Sequence, residues 1–75
     1  MSVSRIVVSG YYGFGNLGDE AILATIVQQL GPRADVVVLS ADPARTALEH
    51  GVRAVGRTDM VAIVHELRGA GLFLS

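Results

Sequence analysis

Glycines are concentrated in one short stretch of the sequence, residues 10–20. Gly13, Gly15 and Gly18 have the spacing Gly-x-Gly-x-x-Gly, which in letters is the fingerprint of a dinucleotide-binding turn. Glycine has no Cβ and readily adopts positive φ, so such a turn lets another group approach the backbone closely. We therefore expect these three glycines to line a site for a small molecule.

Two carboxylates follow the last of these glycines directly, Asp19 and Glu20. Negative charge at the start of a helix favours the helix dipole, and it repels a pyrophosphate placed there. A polyhydroxyl ligand therefore fits this turn better than a bare phosphate. Asp19 has two interpretations, as the helix N-cap or as a sugar contact or base. Asn16 has two as well, as a left-handed residue between glycines or as a ligand contact.

Other side chains that carry chemistry have simple structural explanations beside functional ones. The pair Tyr11-Tyr12 serves either for packing or for stacking on a ligand. Asp42 either caps a helix or binds a ribose, and capping is favoured because Pro43 follows it. Arg57 is the one arginine predicted at the carboxyl end of a strand. His50 and His65 are expected to be solvated, with His50 near a helix end.

Composition excludes several classes of function. The chain has 75 residues, no cysteine and a net charge of −1, so it lacks the positive charge of a nucleic-acid-binding protein. With two histidines and no thiolate, we predict no metal site. The sequence shows no secretory signal and no apolar run long enough to cross a membrane, so we expect a cytoplasmic protein without a transmembrane segment.

Apolar runs and turn residues predict alternating strands and helices in the order β-α-β-α-β-α-β. Helix starts are expected at Asp19, at Asp42 with Pro43, and at Thr58. The first helix should bury one stripe of apolar residues and the third helix another. The predicted strands are residues 5–9, 35–40, 52–55 and 71–75, and the two buried stripes are Ile22, Leu23, Ile26, Val27 and Leu30, and Met60, Ile63, Val64 and Leu67.

This alternation predicts an α/β fold with a Rossmann-like parallel sheet in the spatial order 3-2-1-4. Ligands of such sheets bind outside the carboxyl ends of the strands, at the switch point beside the first strand. The sequence ends on an apolar strand without a following helix. We therefore expect residues 1–75 to be the first part of a longer protein.

A longer pattern goes beyond these general features. Residues 10–23, Gly-Tyr-Tyr-Gly-Phe-Gly-Asn-Leu-Gly-Asp-Glu-Ala-Ile-Leu, closely resemble the opening motif of the polysaccharide pyruvyl transferases. The match is best to the cell-surface-anchoring type found in bacteria with S-layers. Residues 38–43 with Thr46, and residues 51–55 with Arg57, look like the next two blocks of that family. The resemblance covers nearly the whole chain.

The resemblance implies an enzyme with two Rossmann-like domains facing across a cleft, as in glycosyltransferases of the B type. Residues 1–75 would then be the first half of the N-terminal domain, and the rest of that domain and the second domain would lie elsewhere in the longer protein. The implied reaction transfers pyruvate from phosphoenolpyruvate, the donor substrate, to a sugar of a lipid-linked or polymeric cell-wall saccharide, and forms a ketal. No further cofactor is implied. The chain then holds the acceptor through Gly13, Gly15, Asn16, Gly18, Asp19 and Glu20, with Asp19 as the candidate base and Arg57 as a substrate-binding residue near the donor. A fragment of this size alone is expected to be inactive.

Two alternatives stay open at this point. The glycine spacing, with Asp42 further along, also fits a nucleotide-dependent enzyme, either a sugar-nucleotide glycosyltransferase or an NAD(P)-dependent dehydrogenase. The other alternative is that the chain is an inactive fragment. The sequence beyond residue 75 would distinguish a pyruvyl transferase from a nucleotide-dependent enzyme, because the pyruvyl transferases continue with a glycine-rich turn after the fourth strand.

Overall fold

The structure is a computed structural model that describes residues 4–10 and 12–74. Strands and helices alternate through these residues, as the sequence predicts, and together they form a small α/β domain. The observed strand ends lie within one residue of the predicted ones, and the second helix has the predicted range, whereas the first helix starts earlier. Ser75, predicted as part of the last strand, lies outside the described residues. The elements are β1 (Ser4–Ser9), α1 (Leu17–Leu30), β2 (Ala34–Ser40), α2 (Pro43–His50), β3 (Arg53–Gly56), α3 (Met60–Arg68) and β4 (Ala70–Leu74).

All strand pairs are parallel, and the spatial order is β3-β2-β1-β4. This order confirms the predicted one and is compatible with a Rossmann-like sheet. Ile6 of β1 lies opposite Val36 of β2, and Val7 lies opposite Phe73 of β4. Because the chain proceeds in one direction from β1 to β3 and then crosses to β4 on the other side, the switch point lies between β1 and β4.

Helices cover both faces of the sheet, which accounts for strands that are apolar at consecutive positions. Successive side chains of a strand point to opposite faces. Ile6 and Val8 therefore pack with Leu23 of α1 on one face, while Val7 packs with Ile63 of α3 on the other. Leu23 and Val7 are completely buried. These two small cores hold β1 at the centre of the domain.

Helix α1 begins earlier than predicted, and its N-cap is Asn16 rather than Asp19. The Asn16 side-chain oxygen accepts hydrogen bonds from the backbone N–H groups of Gly18 (3.0 Å) and Asp19 (3.3 Å). The backbone of Asn16 is extended, with φ −80°, so the left-handed conformation, one of the two interpretations of this residue, is wrong. Asn16, three residues before the first carboxylate, satisfies the free N–H groups as well as an Asp does.

The other helix ends follow the predictions in part. Asp42 caps α2 with Pro43 at its start, and Gly51 ends it in the left-handed conformation with φ 64°. The N-cap of α3 is Asp59, not Thr58, because the Asp59 carboxylate accepts from the backbone N–H of Ala62. In both helices the cap is the acidic residue next to the first turn.

The predicted buried stripes are only partly right. In α1, Leu23 is buried and Ile26, Val27 and Leu30 pack against the core, but Ile22 is exposed. In α3 only Ile63 of the predicted set is buried, whereas Met60, Val64 and Leu67 are exposed. The second buried residue of α3 is Glu66, whose pairing with two arginines turns that face of the helix toward the sheet.

Within the described residues, none of the helices combines the length and the apolar character that crossing a membrane requires.

Candidate functional site

The glycine-rich turn lies between β1 and α1, at the carboxyl edge of the sheet, as the sequence predicts. Gly13 and Gly15 have φ values of 84° and 77°, in the left-handed region that favours glycine. A Cβ on Gly13 would collide with the Ser40 hydroxyl and lie 2.6 Å from the backbone nitrogen of Asp42. Gly15 has open space around the position of a Cβ. Gly13 is therefore required by packing, while Gly15 faces outward.

The turn rests on the carboxyl end of β2. The backbone N–H of Ala41 donates to the carbonyl of Tyr12 at 3.1 Å. The Ser40 hydroxyl is buried, lies 2.6 Å from the Thr46 hydroxyl, and accepts from the backbone N–H of Asp42. This hydroxyl pair fixes the surface against which Gly13 packs, and sequence reasoning did not identify it.

Tyr12 packs into the core, which decides between the two interpretations of this residue. Its side chain is 6% exposed and belongs to the cluster between the sheet and α1. A Cβ on Gly10 would lie 2.6 Å from the Tyr12 ring, so Gly10 makes room for it. Burial, and to a smaller extent the nearby charges of Asp19 and Glu20, raise the pKa of Tyr12 above its usual value. Tyr11 lies outside the described residues.

Asn16, Gly18 and Asp19 lie together at the start of α1, and the structure divides their roles. The Asn16 side-chain oxygen is occupied by the two backbone N–H groups of Gly18 and Asp19. Those two N–H groups therefore donate to the Asn16 cap, and not to a ligand as the motif suggested. The Asp19 carboxylate accepts no hydrogen bond from the residues that the structure describes. Of the three, Asp19 is the side chain available to a ligand.

Glu20 is engaged inside the protein. One carboxylate oxygen accepts from the backbone N–H of Gly13, and the other lies 2.9 Å from Nε2 of His50; the Gly13 bond is also 2.9 Å long. The hydrogen bonds from Gly13 and then from His50 lower the pKa of Glu20 below its usual value. The His50 side chain is only 10% exposed, so the expectation of a solvated His50 is wrong. His65 is exposed, as predicted.

Arg57 follows β3 and reaches the same edge of the sheet. Its backbone N–H donates to the carbonyl of Ser40 at 2.9 Å. Its guanidinium carbon lies 5.0 Å from the centre of the Phe14 ring, within the range of a cation–π interaction. The structure therefore brings Arg57 next to the glycine-rich turn. Sequence reasoning placed Arg57 at this edge but did not foresee Phe14 as its partner.

Two hollows flank α1 at opposite ends of the sheet. The smaller, about 180 Å³, lies behind the turn and is lined by Gly15, Leu17, Glu20, Arg45, Glu49 and His50. The larger, about 600 Å³, lies at the amino end of β2, where Asp35 and Arg53 border it. Size favours the second hollow, but position favours the carboxyl edge, where parallel sheets bind their ligands. The glycine-rich turn lies at that edge, so we take the turn as the site.

The amino edge carries a network of charges that sequence reasoning missed. Arg53 of β3 contacts Asp35 at 2.7 Å and Glu66 at 3.1 Å, and Arg5 of β1 contacts the same two carboxylates at 3.4 and 3.3 Å. Hydrogen bonding from Arg53 holds the pKa of Asp35 below its usual value. Because two arginines and two carboxylates satisfy one another, we interpret this network as a structural link between three strands and α3.

Metal binding and known relatives give no further assignment. Within residues 4–10 and 12–74, no three His, Asp or Glu side chains are grouped as ligands of one metal ion. Neither a protein-family model, nor a curated protein, nor a solved structure matches the chain.

Proposed function

We propose that this chain is part of a polysaccharide pyruvyl transferase and that its glycine-rich turn contributes to the binding of the acceptor sugar. The observation that carries the proposal is the motif of residues 10–23, whose letters closely resemble the opening motif of that family. The position of the turn at the carboxyl edge of a parallel sheet is compatible with this role.

The proposed reaction joins two hydroxyl oxygens of one sugar to the central carbon of phosphoenolpyruvate. A proton adds to the methylene carbon, the bond from the central carbon to the phosphate oxygen breaks, and phosphate leaves. Of the two protons lost by the hydroxyls, one is accounted for by the proton added to the methylene carbon, which becomes a methyl group, and the other leaves on phosphate. The reaction therefore needs an acid, a base that accepts a hydroxyl proton, and cations for the donor.

Asp19 is the residue of this chain best suited to the sugar hydroxyls. It lies in the first turn of α1, and its carboxylate accepts no hydrogen bond from the described residues. A carboxylate accepts hydrogen bonds from sugar hydroxyls, and within about 2.6–3.2 Å of the attacking oxygen it acts as a base. Asn16 and Glu20 are engaged in hydrogen bonds within the protein. We therefore assign the acceptor contacts of this chain to Asp19 and to the backbone around Gly15, fewer residues than the motif suggests.

Arg57 has the charge that the donor requires. A guanidinium pairs with carboxylate and phosphate in bidentate geometry. Its contact with Phe14 ties Arg57 to the turn, so a donor bound by Arg57 would lie close to an acceptor bound by the turn. One arginine does not carry enough positive charge to neutralise the carboxylate and the phosphate of phosphoenolpyruvate. The proposal therefore includes further cationic residues in a second Rossmann-like domain across the cleft, as in glycosyltransferases of the B type.

A nucleotide-dependent enzyme is the second candidate, because the turn has the Gly-x-Gly-x-x-Gly spacing at a switch point. Two observations weigh against it. The N–H groups of Gly18 and Asp19, which would face a pyrophosphate, donate to Asn16. Asp42, the candidate ribose ligand, accepts instead from the backbone N–H of Arg45 as a helix cap.

The experiment that tests the proposal is a phosphate-release assay on the protein expressed from the complete reading frame. Phosphoenolpyruvate is supplied with a lipid-linked cell-wall disaccharide, and a reaction without acceptor is the control. We expect release that depends on the acceptor, together with a saccharide heavier by one pyruvyl ketal in mass spectrometry. Tight binding of NAD(P) or a sugar nucleotide, with no acceptor-dependent release, would instead support the second candidate.

A further inference from the structure

One carboxylate joins three separate parts of the carboxyl edge. Glu20 belongs to the first turn of α1, Gly13 to the glycine-rich turn, and His50 to the last turn of α2. Both oxygens of Glu20 are used, one for the Gly13 N–H and one for His50 Nε2, each at 2.9 Å. The side chains of Glu20 and His50 are 19% and 10% exposed, so water competes only weakly for these bonds.

The turn is held from two sides. On the side of β2, the Tyr12 carbonyl accepts from Ala41, and Gly13 packs directly against Ser40. On the side of the helices, Glu20 is the acceptor for the Gly13 N–H. Gly13 itself is in a left-handed conformation that non-glycine residues avoid. The shape of the turn therefore depends on Glu20, and the orientation of Glu20 depends on His50.

We propose that Glu20 and His50 form a clamp that positions the glycine-rich turn, with Glu20 a positioning residue and not a ligand of the sugar. The proposal rests on the proposed function, in which this turn contacts the acceptor. It adds a specificity determinant, His50, that lies behind the turn on α2 and is linked to the turn through its contact with Glu20. Substitution of His50 should therefore change acceptor binding without removing any acceptor contact.

Other charged and titratable groups surround the clamp. Arg45 and Glu49 of α2 line the hollow beside it and pair with each other at 3.1 Å. Tyr12 and Asp19 also lie nearby, and besides burial the charges of Asp19 and Glu20 help to raise the pKa of the Tyr12 hydroxyl. A test of the clamp must therefore follow the Gly13–Glu20 bond itself, because a change in overall charge would affect all of these groups.

The first measurement is a pH titration of the Gly13 amide by NMR. Tyr12–Gly13 is the only Tyr–Gly pair in the sequence, so carbonyl-¹³C tyrosine with ¹⁵N glycine labels this one peptide bond. We expect the Gly13 amide to follow the ionisation of Glu20, with a midpoint below that of an ordinary glutamate. In His50→Ala the midpoint should rise, and in His50→Gln, which keeps a donor near the Nε2 position, it should return toward the parent value.

The matched control is His65→Ala, which removes the exposed histidine of α3. The Gly13 titration should be unchanged in this variant. A Gly13 amide that does not titrate with Glu20, or that titrates identically in the parent and in His50→Ala, would overturn the clamp. His50 is the last residue of α2, and alanine is compatible with a helix, so His50→Ala should fold. His50→Gln provides a second variant if His50→Ala does not fold.

The second measurement is steady-state kinetics with the protein from the complete reading frame. We expect His50→Ala to raise the KM for the acceptor about tenfold, equivalent to ~1.4 kcal/mol, with a smaller change in the KM for phosphoenolpyruvate. His50→Gln should restore most of the loss. Equal acceptor KM values in the parent and in His50→Ala would contradict the inference. If the NMR result holds but the parent protein itself releases no phosphate with the acceptor, the clamp stands and the proposed function fails.

Discussion

Asp19 and Glu20 are adjacent in the sequence, and the fold gives them different surroundings. Glu20 turns back toward the protein and accepts from Gly13 and faces His50. Asp19 accepts no hydrogen bond from the described residues, because Asn16 already caps the helix. The two carboxylates therefore have different expected effects when they are replaced, and each effect can be measured separately.

The first prediction concerns Asp19→Asn in the protein from the complete reading frame. Since Asn16 is the cap, thermal stability should stay near that of the parent. If Asp19 contacts the acceptor or acts as base, turnover should fall at least about tenfold, a barrier increase of roughly 1.4 kcal/mol. Asp59→Asn is the matched control, because it changes a carboxylate at the start of α3 and leaves a good cap. Parent-like turnover in Asp19→Asn would rule out the proposed role.

At the scale of the element, α1 determines the shape of the site because its first turn carries Asn16, Asp19 and Glu20, with the cap at the first of them. The helix is anchored by Leu23, which is fully buried, while the neighbouring Ile22 is 55% exposed. Leu23, with Ile26, Val27 and Leu30 packed beside it, therefore fixes the orientation of the helix about its axis. Two predictions test this account.

Loss of the cap should destabilise the domain without abolishing the fold. Asn16→Ala removes the acceptor for the N–H groups of Gly18 and Asp19, so we expect the free energy of unfolding to fall by about 0.5–2 kcal/mol. Asn16→Asp keeps an acceptor and should remain close to the parent. Urea denaturation monitored by circular dichroism measures both. Equal midpoints for Asn16→Ala and the parent would show that Asn16 is not the functional cap.

A pair of alanine variants tests which face of α1 is buried. Leu23→Ala leaves a cavity in the core, so its unfolding free energy should fall by about 2–5 kcal/mol. Ile22→Ala changes an exposed side chain and should stay within about 0.5 kcal/mol of the parent. The same denaturation experiment compares the two. A larger loss for Ile22→Ala would mean that α1 is rotated about its axis relative to the structure described here.

For the whole molecule, the two edges of the sheet have different roles. The carboxyl edge carries the glycine-rich turn, where Gly13 and Gly15 have positive φ. The amino edge carries the network of Arg5, Asp35, Arg53 and Glu66, which links β1, β2 and β3 with α3. Ionised carboxylates are hydrogen-bonded at both edges, so the stability of the whole domain should depend on pH.

The sign of this dependence follows from the pKa shifts of Glu20 and Asp35. Both pKa values are lowered in the folded state, from the ordinary 4.5 and 3.8 respectively. A lowered pKa contributes stability that is present above the unfolded-state pKa and is lost as the pH falls through the folded-state pKa. Urea unfolding should therefore show stability that is level near neutral pH and declines below about pH 4.5.

A variant assigns part of this decline to one residue. Glu20→Gln cannot ionise, so the fall in stability between about pH 4.5 and the acid limit should be smaller than in the parent. Glu49→Gln is the control, since the exposed Glu49 pairs with Arg45 four residues away along α2, and such an exposed pair contributes little. Identical pH profiles for Glu20→Gln and the parent would contradict the bonds drawn for Glu20.

The sequence by itself determined the order of the elements, the parallel sheet, the strand order and the position of the glycine-rich turn. These features follow from short-range patterns, namely apolar runs of strand length, helical spacing, and the turn residues Gly10, Pro43 and Gly51. The cap of α2 at Asp42 was predictable for the same reason, because an acidic residue before proline is a local signal.

Only the tertiary structure decided which side chains meet across the chain. Glu20 and His50 are thirty residues apart, and their contact depends on how α1 and α2 pack on the sheet. Spacing placed Ile63 in the buried stripe of α3, but the helix is apolar around much of its circumference, so spacing could not show that Met60, Val64 and Leu67 are exposed and that Glu66 is buried. The N-cap of α1 is Asn16 and not Asp19, because the glycine-rich turn ends, and the helix begins, before the two carboxylates are reached. Long-range packing therefore determined which groups of the site remain available to a ligand.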